Sequence, residues 1–245
     1  MTFEKQIDLD FKPKSVCISS DSALITFFID DKPAEVYQLD EWKKVREFEI
    51  ITSNLFYQTN DFLLLPSKDE SGTYYSFNPL TGDSLKFEKH SKSISFIASS
   101  KDQSYVLSSS ADGSLIYWDL SDALHPSPTI LETGEEITYI TFNSQQTLFA
   151  TLSSSYISVW DSKSKTKLHQ IHTKHSQTRT VTFSTDSQYI FGNAWDNYVY
   201  IYSLQEKNYI GQLNLHAGII RLFCYNNQVF VSLSNGQVMK LKYSH

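Results

Sequence analysis

The chain has 245 residues, 40% apolar and 20% charged, with a net charge of -6. That length supports a well-buried core in one or two domains, and the acidic balance opposes a general nucleic-acid binder, which relies on attraction to phosphate. The longest apolar run, ALITFFI, is too short to span a bilayer, and the amino terminus, MTFEKQIDLDF, has no apolar stretch of the kind a secretory signal needs. An intracellular protein, cytoplasmic or nuclear, is expected. Its two cysteines, Cys17 and Cys224, share no ligand or redox spacing and are read as reduced, buried thiols.

In chain order, FEKQIDLD (residues 3–10) reads as a strand with no hairpin partner beside it. Residues 14–50 then give a first set of short alternating strands, the third closing on Tyr37 in AEVYQL. LDEWKKVREFE is the nearest approach to a helix, but its place in the register makes it a turn followed by a strand. Residues 51–90 repeat the pattern, with Phe77 in TYYSFNP. Residues 91–133 contain YVLSSSADGSLIYWDL, two strands joined by a tight turn at Asp112-Gly113, the second ending at Trp118. LHPSPT, with Pro126 and Pro128, reads as a lengthened loop.

Residues 134–175 supply four strands, ITYITFNS, TLFATLS, YISVWDS and KLHQIH, with Trp160 closing the third. Residues 176–216 supply TRTVTFS, QYIFGNA, NYVYIYSL and NYIGQLNL, with Tyr202 in that place. Residues 217–245 supply only IIRLFCY, QVFVSLS and QVMKLKY, with Leu241. The closing residues Tyr37, Phe77, Trp118, Trp160, Tyr202 and Leu241 are spaced by 40, 41, 42, 42 and 39 residues. Four strands in each period of this length predict an all-β, six-bladed β-propeller of four-stranded antiparallel blades in one domain. The strand at 3–10 is expected to complete the last blade and remove its open edge; an open six-blade ring and seven blades are the alternatives.

The third segment resembles a WD repeat. Members of that family carry a His before the first strand, a Ser or Thr in the second, an Asp in the following turn and a Trp ending the third. Here the matching residues are His90, Ser108, Asp112 and Trp118. The resemblance implies a hydrogen-bonded structural tetrad in which the carboxylate accepts from the His and the indole N–H is linked through the Ser. The fourth segment keeps Trp160-Asp161 without an Asp in its turn. The fifth keeps His175 and Asp196 but has Tyr202 and Gly192 at the Trp and Ser positions. The sixth keeps His216, with Asn235-Gly236 in the turn.

Because these His and Asp residues recur with the structural period, they predict no active site. No activated nucleophile or convergent carboxylates stand elsewhere, so no enzyme and no cofactor are expected. His169, His172 and His175 are three residues apart; on a strand that odd spacing sends neighbours to opposite faces, and no metal is expected. Lys163, Lys165, Lys167, Lys174 and Arg179 form a run without acids, readable as a docking strip for RNA or an acidic partner, or as a solvated outer strand and loop. The resemblance implies docking at the face that carries the fourth-to-first loops and second-to-third turns. That face would present Lys92, Glu135, Arg179, Trp195, Arg221 and the turn at Asp30-Asp31. The expected function is a non-catalytic scaffold that binds proteins of a larger intracellular complex. Two alternatives stand beside it. One is a coat or nuclear-pore type propeller completed by a partner blade. The other is an RNA-associated accessory subunit such as a tRNA-methyltransferase partner. The Phe-Arg-Arg-Gly signature of lipid-binding propellers is absent.

Overall fold

The protein's structure is a computed structural model describing residues 9–13, 15–19, 23–29, 32–48, 57–58, 63–67, 71–78, 81–102, 104–122, 126–132 and 134–243. Among the described residues it contains strands and turns and no helix. The alternating segments, rich in aromatic and β-branched side chains, pair with their chain neighbours as antiparallel hairpins. The chain divides into two compact units, Met1–Lys89 and His90–His245.

The first unit holds two four-stranded sheets. One comprises β1 (Ser15–Ile18), β2 (Leu24–Phe28), β3 (Ala34–Gln38) and β4 (Lys43–Phe48). The other comprises β5 (Tyr57–Gln58), β6 (Leu63–Pro66), β7 (Thr73–Phe77) and β8 (Ser84–Glu88). Leu24, Phe28, Ala34, Val36 and Phe48 form a buried cluster against which Phe77 packs. The segment LDEWKKVREFE is a turn over residues 39–42 leading into β4.

The second unit holds four sheets. They are β9 (Ile94–Ser99) to β12 (Ser127–Glu132), β13 (Tyr139–Phe142) to β16 (Lys167–His172), β17 (Thr180–Phe183) to β20 (Asn208–Asn214), and β21 (Ile219–Tyr225) to β23 (Val238–Lys242). Between them lie β10 (Tyr105–Ser110), β11 (Ser114–Asp119), β14 (Leu148–Leu152), β15 (Tyr156–Asp161), β18 (Tyr189–Asn193), β19 (Tyr198–Ser203) and β22 (Gln228–Leu233). The first strands β9, β13, β17 and β21 lie side by side. Apolar residues from facing sheets fill the gaps: Leu152, Ile157 and Val159 meet Val181, Ile190 and Tyr202, while Phe191 and Val199 meet Leu222, Val229 and Val231.

Strand register shows the repeat more sharply than spacing does. The closing residue of each third strand pairs with an apolar residue of the second: Tyr37 with Ile25, Phe77 with Leu63, Trp118 with Val106, Trp160 with Phe149, Tyr202 with Ile190 and Leu241 with Val229. Two residues further along the second strand stand Phe27, Leu65, Ser108, Thr151, Gly192 and Val231, the positions that face each closing residue diagonally.

The turns between first and second strands are tied from sheet to sheet. Lys101 N donates to Gln146 Oε1 (3.1 Å), Ser144 Oγ to Thr185 O (3.2 Å) and Asn227 N to Thr185 Oγ1 (3.1 Å). LHPSPT departs from expectation. Ser127 and Pro128 begin β12, with Pro128 opposite Trp118. An outer strand tolerates proline because its missing N–H would face away from the ladder. Of the segment expected to complete the last sheet, residues 3–8 lie outside the described residues, and Leu9 and Asp10 belong to no strand. β23 has only β22 as a neighbour among the described residues.

Candidate functional site

In the sheet β9–β12, Asp112 and Gly113 make the turn between β10 and β11. Gly113 adopts φ +84°, a left-handed conformation that glycine takes without steric cost, and its N–H donates to Ser110 O (3.0 Å). Asp112 faces back across that turn. Its Oδ2 accepts from Ser91 N (2.7 Å) and Ser91 Oγ (3.1 Å), its Oδ1 from Ser114 N (2.9 Å) and Ser114 Oγ (2.5 Å). Burial alone would raise its pKa, but the bonds from Ser114 and Ser91 outweigh it and hold the carboxyl well below its ordinary range.

Buried His90 joins this carboxylate to Trp118. Trp118 Nε1 donates to Ser108 Oγ (2.9 Å), and Ser108 lies 2.7 Å from His90 Nε2. On the other side His90 Nδ1 lies 2.7 Å from Ser114 Oγ. The indole can only donate, and Ser114 donates to Asp112. The bonds therefore alternate when Nδ1 carries the proton and Nε2 accepts from Ser108. The expected direct bond from His90 to Asp112 is not made: Nδ1 and Oδ1 are 3.8 Å apart, and the Ser114 hydroxyl bridges them. Burial lowers the His90 pKa against the opposing pull of Asp112, so the ring is neutral at neutral pH.

The other sheets modify this arrangement. In β13–β16, Trp160 Nε1 donates to Thr151 Oγ1 (3.1 Å), and Phe149 stacks on the indole at 5.8 Å. In β17–β20, Gly192 leaves room beside the Tyr202 ring, whose hydroxyl accepts from Lys174 N (3.1 Å). Asp196 there is engaged by Tyr198 N (3.0 Å) and the Tyr200 hydroxyl, not by His175, whose Nδ1 accepts from Gln177 N (3.1 Å). Burial first, then the bond to Asp196, raises the Tyr200 pKa.

The fourth-to-first loops and second-to-third turns of the second unit share one end of its sheets, here the upper end. Lys92, Glu135, Arg179, Trp195 and Arg221 all lie there. Trp195 is 72% exposed, and the Arg179 guanidinium lies over its ring with Cζ 3.7 Å from the centroid. Glu135 is engaged by the chain itself: bonds from Ser153 foremost, then from Ser155 and Ser154, hold its carboxyl below the ordinary range. The turn at Asp30-Asp31 lies outside the described residues.

Asn193, which sequence reasoning passed over, supports this end. Fully buried, it accepts from Arg179 N on its carbonyl (2.7 Å) and from Thr180 Oγ1 on Oδ1 (2.5 Å), and donates from Nδ2 to Ile219 O in the next sheet (3.3 Å). Ser109 stands at the equivalent register position and reaches Ile137 O (2.8 Å); Leu152 occupies that position between them. A polar residue in an otherwise apolar strand was the available signal.

The lysine run is not assembled into one patch. Lys163 and Lys165 lie at the lower end, and the six residues of β16 put Lys174 about 20 Å away at the upper end. Three of these ammonium groups sit over aromatic rings: Lys165 over Tyr117 (4.2 Å), Lys167 over Trp160 (5.1 Å) and Lys174 over Tyr209 (5.4 Å). His169 and His172 pair with Val159 and Tyr156 and point to opposite faces of β16. No group of three metal-ligating side chains converges among the described residues. Cys224 is half-buried, and burial pushes its thiol up to about 12.

Among the described residues, five four-stranded antiparallel sheets and one three-stranded sheet, repeating every forty-odd residues without a helix, fit a β-propeller. The WD40 family model (WD domain, G-beta repeat) matches residues 83–119 and 166–203, the segments that end in Trp118 and Tyr202. These two matches support WD repeats in the chain. No curated protein matches it significantly. WD repeats generally mediate scaffolding between proteins and are typically non-catalytic. Among the described residues, no helix is long and apolar enough to cross a membrane.

Proposed function

We propose that the chain is a six-bladed propeller closed by its own residues 3–10, working as a non-catalytic adaptor that holds proteins in a larger complex. Docking is at the upper end of the second unit. The observation that carries this reading is Trp195, 72% exposed beside a second-to-third turn and stacked with Arg179. A large aromatic left in water on a rigid turn, flanked by arginine, has the composition of an interface hot spot. Affinity purification of the tagged whole chain from its native source, followed by mass spectrometry, tests it. Protein partners recovered in fixed proportion are expected; a chain that elutes alone contradicts the adaptor reading.

A second reading, a structural propeller completed by a partner blade, draws on the last sheet. That sheet carries Phe223 and Tyr225, 52% and 63% exposed, with Phe223 stacked on Phe230 at 4.9 Å. The RNA-associated reading gains nothing from a lysine run divided between two ends of a sheet.

A further inference from the structure

We propose that Asn235-Gly236, at the turn between β22 and β23, is a site of spontaneous modification. There the side-chain amide of Asn235 is exchanged for an acid without an enzyme. The products are an aspartyl residue that the turn accommodates and an isoaspartyl residue that loosens it. Water is the co-reactant, and the site stands whatever the chain binds.

The sequence holds this Asn-Gly pair once. Every other asparagine is followed by a residue with a side chain, which crowds the approach to the intervening backbone nitrogen. Asn235, Gly236 and Gln237 are all exposed. Gly236 takes φ +83°, and a Cβ at that position would have no neighbour within 4 Å, so solvent reaches the turn freely. The Asn235 side chain bonds only within the turn: Oδ1 accepts from Gln237 N (3.1 Å) and Nδ2 donates to Gln237 Oε1 (3.1 Å). The first bond closes a ring of atoms that contains both Asn235 Cγ and Gly236 N, the two atoms that must join. Its N–H also faces the oxygen on which negative charge develops when Cγ is attacked. One bond opposes the step, since Gly236 N donates to Leu233 O (3.0 Å) and must release it. At an exposed hairpin tip such an opening is local and costs little.

Base removes the Gly236 N–H proton, and the nitrogen attacks Cγ. A new C–N bond forms, the Cγ–Nδ2 bond breaks, and ammonia leaves after taking a proton from solvent, which leaves a cyclic imide. Water then opens the imide at Cγ to give aspartate, or at the Asn235 backbone carbonyl carbon to give isoaspartate. Either product adds a carboxylate to the upper end. Asp112-Gly113 already makes the aspartyl form of this turn: Gly113 has φ +84°, its N–H bonds Ser110 O at 3.0 Å, and Asp112 Oδ1 accepts from Ser114 N (2.9 Å). Isoaspartate lengthens the backbone of the turn by one atom, which carries Gly236 N away from Leu233 O. Asp112 is no competitor, because an ionised carboxylate held by Ser91 and Ser114 is a poor electrophile.

The test incubates the folded whole chain in mildly alkaline buffer made with heavy-oxygen water and maps its peptides by mass spectrometry over days. The peptide containing Asn235 should gain the amide-to-acid mass with one heavy oxygen, ahead of every other asparagine and faster as pH rises. Its two products should separate by chromatography, one of them a substrate for protein isoaspartyl methyltransferase. Asn235→Gln should lose the conversion, because the longer side chain closes its ring far less readily. Asn235→Asp should unfold at the wild-type temperature. The wild-type peptide map assigns the site even where a variant folds poorly. Conversion only after unfolding in urea, no lead of Asn235 over the other asparagines, a rate indifferent to pH, or a destabilised Asn235→Asp would each overturn the proposal.

Discussion

Asp112 organises its turn through hydrogen bonds from Ser91 and Ser114, which in turn position the buried His90. Removing the carboxylate strands those donors, at a cost of about 1–3 kcal/mol. Asp112→Ala should lower the urea-unfolding free energy by that amount at neutral pH; stability equal to the wild type would remove its structural role. Two titrations set the acid side of the stability profile. The folded His90 pKa lies below its ordinary 6.5, so as pH falls below 6.5 the unfolded chain takes up a proton the folded chain refuses, and stability drops. The folded Asp112 pKa is also depressed, so its stabilisation is present above its ordinary 3.8 and is lost on further acidification. Unfolding free energy should therefore decline between pH 7 and about 5.5. In His90→Gln that decline should shrink to the share of His169, whose pKa burial and then Lys207 also lower. An equal decline in both proteins would place the titration elsewhere.

At the scale of the element, the sheets are separate hairpin stacks joined by side-chain contacts and by a few hydrogen bonds from one second strand to the next first strand. Asn193 makes such a bond, and its removal leaves Thr180 and the Ile219 carbonyl without a partner in a buried place. Asn193→Ala should destabilise by about 1–3 kcal/mol, read from the urea midpoint at constant slope; a shift below about 0.5 kcal/mol would show that water replaces the amide. Strand positions were legible in the sequence because alternation is a local signal, while His90, Ser108, Asp112 and Trp118 were picked out by the resemblance to a WD repeat. Three features were not. Ser114, which bridges His90 to Asp112, looks like any turn serine. The reassignment of Asp196 from His175 to Tyr200 depends on which side chain reaches the turn first. Pro128 reads as a loop residue until the outer strand that tolerates it is known.

For the whole molecule, the proposed closure makes a specific demand on β23. Every amide of Val238–Lys242 should be protected from hydrogen exchange if residues 3–10 pair with its free edge, and those facing away from β22 should become fast in a chain lacking residues 1–10. Exchange indifferent to that deletion would leave the edge to a partner, as in the structural-propeller reading. The divided lysine run belongs to this scale too: sequence proximity made it look like one strip, and the rise of a single strand separates its ends. The central claim, docking at the upper end of the second unit, is tested most directly by hydrogen exchange on the purified chain with and without its recovered partner. Slowed exchange at residues 175–180, 194–198 and 215–221 is the expected footprint. Protection confined to the lower-end turns, or to residues 163–167, would contradict it.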